Sequence, residues 1–337
     1  MAAVVVGGGL VGLAVALELA RRGVGVTCLE RSVPGAEASS AAAGILAPRV
    51  EAHGDGPARA LGLQSLALYE GWLESMGASP GFRRSGALVV GDTCPDADAR
   101  SLSGASLSRI APGLAAKCAW WLPDEAVVDT RRLVGGVRDA CIALGVRVVT
   151  ATVHRVERGG VCLIDGEIIP GEVVVCAGAW TASVGGLEGV PVRPVRGQLV
   201  ALGDTQATSA VVFGPGGYLV PRTDEVVVGS TVEEVGFTRG VTAVGVRHIL
   251  DHALGLAPSL ADAAFLRSWS NFRPGSPDGW PLVGALAGVW LATGHYRNGV
   301  LLAPLTAKLL VAAMLDGDPL PAAWAPDRFL RRAGFGV

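Results

Sequence analysis

AVVVGGGLVGLAVALELARRGVGVTCLE, residues 3 to 30, reads as strand, tight turn, helix and second strand. AVVVGGG is a short β-branched run ending in glycines, LVGLAVALELARRG has helical periodicity with a glycine stop at Gly23, and VGVTCLE returns to strand character. Gly7, Gly9 and Gly12 form the spacing G-x-G-x-x-G. Gly7 permits the turn, Gly9 lets the backbone approach a pyrophosphate, and Gly12 lets the helix pack close to the strand. The helix N-terminus then faces the phosphates. Glu30, at the end of the second strand, stands where an acid accepts hydrogen bonds from a ribose. The unit predicts dinucleotide binding and leaves NAD(P) and FAD both open.

Composition narrows the rest. The chain has 337 residues, half of them hydrophobic and 17% charged, enough apolar material to offset chain entropy in one large or two ordinary domains. A formal net charge of −2 with no basic run gives no reason to expect nucleic acid or a membrane surface as partner. Small molecules are the expected ligands. Six cysteines without a CxxC pair or a clustering with histidine argue against a metal site and fit a reducing compartment, so the expected location is cytoplasmic. The apolar N-terminus lacks a basic region before it and its glycines are spaced for a ligand, which argues against an export signal. No other segment is read as an uninterrupted apolar span long enough to cross a bilayer.

Further along, SSAAAGILAPRVEA (39–52) is a run of small residues that lets backbone lie close to a flat ligand, which singles out Ser40, Ala42, Ala43 and Gly44. EVVVCAGAWT (172–181) is a strand of consecutive apolar residues, suited to a sheet buried on both faces, and it ends at Ala177, Gly178 and Trp180. Loops at such strand ends form ligand crevices. GVWLATGHYRNG (288–299) repeats the design with Gly294 after its strand. Pro304 then suits the first turn and Gly317 the C-cap of a final helix, PLTAKLLVAAMLDG. Between them RGQLVAL, SAVVFG, GYLVPR and EVVVGST predict an antiparallel meander, followed by a helix in VTAVGVRHILDHALGL.

Taken together, GGGLVGLAVALELA, SSAAAGILAP, VVVCAGAWT, GGYLVPR, VVVGST, FRPGSPDGWPLVG and GHYRNGVLLAP resemble the glycine oxidase branch of the D-amino-acid oxidase family of FAD-dependent oxidoreductases. The motifs span nearly the whole chain in the family's order. The resemblance implies an α/β protein: a Rossmann-like FAD-binding domain built from residues 1–79, 126–194 and 277–337, and an antiparallel-sheet (α+β) substrate domain from 80–125 and 195–276. It further implies that FAD is the cofactor and that the RNG turn sits at the pyrimidine end of the flavin. Arg297, Asn298, Gly299, Val300 and Leu301 would then donate charge or backbone N–H groups to it. Because no cysteine lies in residues 177–337, the flavin is expected to be bound non-covalently.

In the chemistry so implied, a hydride leaves the substrate α-carbon while the protein holds the carboxylate and supplies charge. A carboxylate matches the planar fork of an arginine. Arg273, in NFRPG among Trp269, Phe272 and Trp280, is the expected clamp, with the hydroxyl of Tyr218 beside it and Arg297 near the flavin rim. His295 and His53 invite a role as base, but a structural role is the expectation for both.

The expected reaction is oxidation of glycine, sarcosine or a small D-amino acid by oxygen, giving an imino acid and hydrogen peroxide, with a link to thiamine thiazole synthesis implied by the resemblance alone. A dehydrogenase using another acceptor, a non-catalytic flavin-binding protein and an NAD(P) enzyme remain as alternatives, and a homo-oligomer is left open. Two positions depart from some glycine oxidases: Gly216 replaces a histidine two residues before the tyrosine, and Val232 a methionine after the G-x-T run. Both remove side-chain volume and predict a roomier pocket.

Overall fold

The computed structural model describes residues 2–51, 56–78, 80–203 and 206–329. The first βαβ unit forms as the spacing predicts: strand Ala2–Val6, first helix Leu10–Arg21 and strand Gly25–Glu30. Val4 of the first strand sits in register with Thr27 on one side and Val173 on the other, both in parallel pairs. The sheet grows to six strands, in spatial order 282–286, 289–293, 172–175, 2–6, 25–30 and 147–150. Only the outermost pair, Leu282–Leu286 with Val289–Thr293, is antiparallel. Central strands carry consecutive apolar residues because helices cover one face and a three-stranded layer the other, so Val5, Val174 and Leu291 are fully buried. Gly7, at φ 108°, turns the chain where a side chain would strike the carbonyl of Cys176.

The second sheet has eight strands among the described residues and is mixed rather than a pure meander. Val211–Gly214 pairs antiparallel with Gly217–Pro221 but parallel with Ala87–Val89, which belongs to the earlier excursion of the chain. Its longest pair, Arg193–Gly203 with Ala264–Gly275, sets Val195 opposite Arg273 and Arg196 opposite Phe272. The expected helix is found as Ala243–Leu256, capped by Thr242 and packed with Leu88, Val200, Leu219 and Val228 into the core of this layer. Trp121 packs against the same core and Trp280 against that of the first sheet, as filling residues.

The terminal helix differs from expectation. It starts at Gly299, not at the proline, so Pro304 lies inside it; Gly317 does end it, at φ 77°. A proline there cannot donate to the carbonyl four residues earlier, that of Val300. The released acceptor is satisfied from another helix, Pro57–Glu74, whose Tyr69 donates its hydroxyl to the carbonyl of Val300. Ser65 of the same helix donates to the carbonyl of Leu301 at 2.6 Å. The terminal helix also has the length and apolarity of a membrane span, contrary to the sequence reading. Here that apolar surface is core: Leu301, Leu305, Leu310 and Val311 are buried with Leu13, Leu17 and Trp72.

Tyr69→Phe would leave the Val300 carbonyl without a donor in a dry environment. Such an orphaned group costs about 1–3 kcal/mol. Urea unfolding should show a loss of that size, and Pro304→Ala in the same chain should recover part of it by restoring the helical N–H; an additive pair of losses would reject the coupling.

Candidate active site

A cavity of about 360 Å3 runs along the carboxyl ends of the first sheet. At one end Gly7 and Gly9 line it, and the first turn of the first helix presents N–H groups that have no intrahelical acceptor. Glu30 faces this end; its Oε2 accepts from the N–H of Gly8 at 2.9 Å and its Oε1 from that of Ser32 at 3.1 Å. Gly12 lies behind the cavity, where any side chain would collide with the carbonyl of Gly7. Sequence reasoning chose Ser40 from the serine pair; the structure instead brings Ser39 to the cavity, and its Oγ accepts from the N–H of Leu10 at 2.9 Å. Ser40 turns its carbonyl toward Thr130.

The Ala-rich run forms the wall. Its carbonyls are taken by side chains from outside: Ala41 by Trp269 Nε1 at 2.9 Å, Ala42 by Thr130 Oγ1 at 3.0 Å, and Ala43 by Arg222 Nη2 at 3.2 Å. With these groups satisfied, Ala42, Ala43 and Gly44 offer a smooth surface of small residues to the cavity. Opposite, Ala177, Gly178 and Trp180 follow the strand 172–175, and Trp180 stacks on Phe237 with Arg31 over its face, 3.9 Å from the ring centre.

The far end meets the start of the terminal helix. Gly299 and Val300 line the cavity, so a second helix N-terminus opens into the same space. Leu301 lies just behind in the first turn, Asn298 precedes the helix without capping it, and Gly294, at φ 72°, makes the turn after its strand; none of these three borders the cavity. Two positive helix ends, an acid at one extremity and a wall of small residues fit an extended dinucleotide.

Arg273 reaches this end from the long strand. Its Nη1 donates to the carbonyl of Thr231 at 3.1 Å and its Nη2 to Ser230 Oγ at 2.6 Å, and no carboxylate pairs with it among the described residues. Burial pushes its pKa down, against the pull of Tyr218. It lies flat over Gly197, where a methyl group would displace it. Tyr218 is buried beside it and borders both this cavity and an adjoining outer chamber of about 560 Å3. Arg297 borders both spaces too, over the ring of Tyr296. Burial opposes its charge, but the hydroxyl of Tyr296 and the carboxylate of Glu51 hold its pKa above the ordinary value. Gly216 and Val232 line the outer chamber.

Glu51, which the sequence reading passed over, stands at the junction of the two spaces. Burial pushes its carboxyl up to about 7 against the pull of Arg297 and Arg273. Only its position four residues past Ala47 in the small-residue run could have drawn attention to it.

His295 borders the cavity and is held as a structural residue would be. It is buried with Nε2 3.0 Å from Thr306 Oγ1, and burial lowers its pKa to about 4. Protonation therefore favours the unfolded chain, whose histidine titrates near 6.5. The stabilising contribution is complete above about pH 6.5 and is lost as pH falls toward 4, roughly 3 kcal/mol in all. His295→Gln should lack that slope in urea unfolding between pH 7 and 4.5; Glu51 and Glu125, both raised to about 7 by burial, act in the opposite direction and cancel in the comparison. Parallel slopes would reject it. His53 lies outside the described residues.

Comparisons with known proteins agree with this geometry. Residues 2–313 match the family model DAO, FAD dependent oxidoreductase. The bifunctional protein ThiO/ThiG of Synechocystis is 37% identical over 97% of this chain, which spans only 54% of that relative. The chain thus covers about half the length of such two-part relatives. The crystal structure of glycine oxidase from Geobacillus kaustophilus superposes with a TM-score of 0.88 at 30% identity, covering 97% of this chain and 98% of that one. Iminodiacetate oxidase from Chelativorans superposes with a TM-score of 0.87 at 29% identity, covering 96% and 98%. With the parallel sheet, the mixed sheet and the cavity between them in place, the chain belongs to the DAO family of FAD-dependent oxidoreductases, in its glycine oxidase branch.

Proposed function

We propose that the protein oxidises glycine, sarcosine or a small D-amino acid to the imino acid, with oxygen reduced to hydrogen peroxide. The observation that carries this reading is Arg273: a guanidinium withdrawn from water with no acidic partner among the described residues, held by Thr231 and Ser230 and facing a cavity beside Tyr218. A buried cation of this kind is costly until an anion meets it, and the fork fits a carboxylate. Tyr218 would add a hydroxyl hydrogen bond to the same group. Gly7, Gly9, Glu30 and the wall of Ala42 to Gly44 would hold FAD without a covalent bond. The N–H groups at the start of the terminal helix, with Arg297, would stabilise negative charge at the flavin's pyrimidine end. When bound, FAD supplies the redox chemistry by accepting a hydride and passing the electrons on.

The likeness to ThiO/ThiG supports a role for the imino product in thiazole synthesis. A second reading has a specific basis: the outer chamber beyond Tyr218, opened by Gly216 and bordered by Arg297, has room for an N-substituent such as the second carboxymethyl group of iminodiacetate. Anaerobic titration of the yellow protein with glycine, sarcosine, D-alanine and iminodiacetate, followed by admission of air, separates these. Bleaching by an amine and recovery with stoichiometric peroxide is the expected result. Recovery only with an added quinone would make it a dehydrogenase, and no bleaching by any amine would remove the oxidase reading.

A further inference from the structure

An amino-acid substrate carries two charges, and the groups named so far answer only one of them. Arg273, Arg297 and the hydroxyl of Tyr218 all face the substrate end and suit its carboxylate. Among the described residues that line the outer chamber, Glu51 is the only acid; the other acids of the inner cavity, Glu30 and Glu37, lie at the nucleotide end and are engaged by Gly8, Ser32, Arg31 and Arg239. Arg297 and Arg273 act on Glu51 through their charge, but no described side chain forms a hydrogen bond or ion pair with its carboxylate. Glu125, the other carboxyl raised by burial, shows the contrast, being met by Arg49 at 3.2 Å.

The position is built into the fold. Pro48–Glu51 is a single helical turn that follows directly on the Ala-rich wall, and Pro48 at its start is buried against Gly62 of the helix Pro57–Glu74. Ile45 and Leu46 just before it pair with Val127 and Ala126. Glu51 therefore does not swing on a loose loop; its side chain is set at the junction where Tyr218 and Arg297 also border both spaces. A carboxyl so placed, half-buried and with no hydrogen-bond or ion-pair partner among the described residues, is less stable in its charged form than in water and gains from a cation brought by the ligand.

We propose that Glu51 is a substrate-binding residue that receives the ammonium group of the amino acid, opposite the carboxylate clamp of Arg273 and Tyr218. This rests on the amine-oxidase reading given above and names the group that selects amines from other small carboxylic acids. A bound ammonium donates hydrogen bonds to the carboxylate and favours its charged form. Arg297 and Arg273 act on Glu51 through their charge, and Tyr218, Tyr296 and His248 line the spaces it joins.

The test compares glycine with glycolate, which keeps the carboxylate and replaces the ammonium by a neutral hydroxyl. In Glu51→Gln the flavin content should equal that of the wild type, the KM for glycine should rise about 30-fold, and the Kd for glycolate, read from the flavin spectrum, should stay the same or fall because a negative charge near the two arginines has gone. Glu51→Asp, which keeps the charge on a shorter arm, should recover part of the glycine affinity. Equal weakening of glycine and glycolate would make Glu51 a mere support of the arginines and overturn the proposal, as would an unchanged KM for glycine. Failure of the wild type to be bleached by any amine would instead bring down the oxidase reading itself.

Discussion

Arg273→Met is expected to lower kcat/KM for the amine substrate by roughly 10²- to 10³-fold while leaving the melting temperature of the flavin-loaded enzyme unchanged or higher. Two opposite effects stem from one feature. Removing one member of a buried charge pair costs about 2–5 kcal/mol in binding, because the partner, here the substrate carboxylate, is left unmet. In the ligand-free protein the same guanidinium has no carboxylate of its own among the described residues, and burial already pushes its pKa down. Replacing it by an apolar side chain of similar length removes that desolvation cost, at the loss of two hydrogen bonds to Thr231 and Ser230. The fold should therefore not suffer. Steady-state kinetics and thermal unfolding of one preparation check both halves; a fall in melting temperature with unchanged kinetics would make Arg273 a structural cation.

The second large effect separates the three fingerprint glycines. Gly9 has φ −71°, which any residue adopts, and a Cβ there would find its nearest protein atom, Ser39 Oγ, at 3.3 Å. Gly9→Val should thus fold, with a circular dichroism spectrum like that of the wild type, but purify colourless, because the added methyls occupy the approach to the pyrophosphate. Gly12→Val should fail earlier: its Cβ would run into the carbonyl of Gly7, and the helix would have to leave the sheet. Loss of soluble protein is the expected outcome there. A yellow Gly9→Val enzyme would remove the phosphate from the first helix.

What the sequence made legible, and what it hid, follows from the range of the interactions involved. Gly7, Gly9, Gly12 and Glu30 lie in one continuous βαβ unit, so local periodicity and spacing suffice to place them. Arg273 and Tyr218 are distant in the chain but each sits in a strand whose composition and resemblance marked it, and the antiparallel order 264–275, 193–203, 226–229, 217–221 brings them to the cavity. Pro304 was misplaced because the preference of proline for a first turn is a local rule, whereas the group that rescues it inside the helix, Tyr69, is 231 residues away from the carbonyl it serves. Ser39 and Ser40 are adjacent, yet on a helical turn neighbours point about 100° apart, and only the packed structure says which one faces the ligand. Glu51 was silent for a similar reason: one acid after an apolar run carries no signal until Arg297 and Arg273 arrive from elsewhere.

The way the Ala-rich wall is hung also decides how traffic moves. Trp269 and Arg222, both from the second sheet, grip the carbonyls of Ala41, Ala42 and Ala43, and Arg239 grips Glu37 just before them at 2.7 Å. Swinging the two layers apart would break all of these fastenings at once and strip the lining from the cofactor. Any turnover would then proceed in a closed frame with the two halves latched, the outer chamber that Gly216 and Val232 line lying beside it.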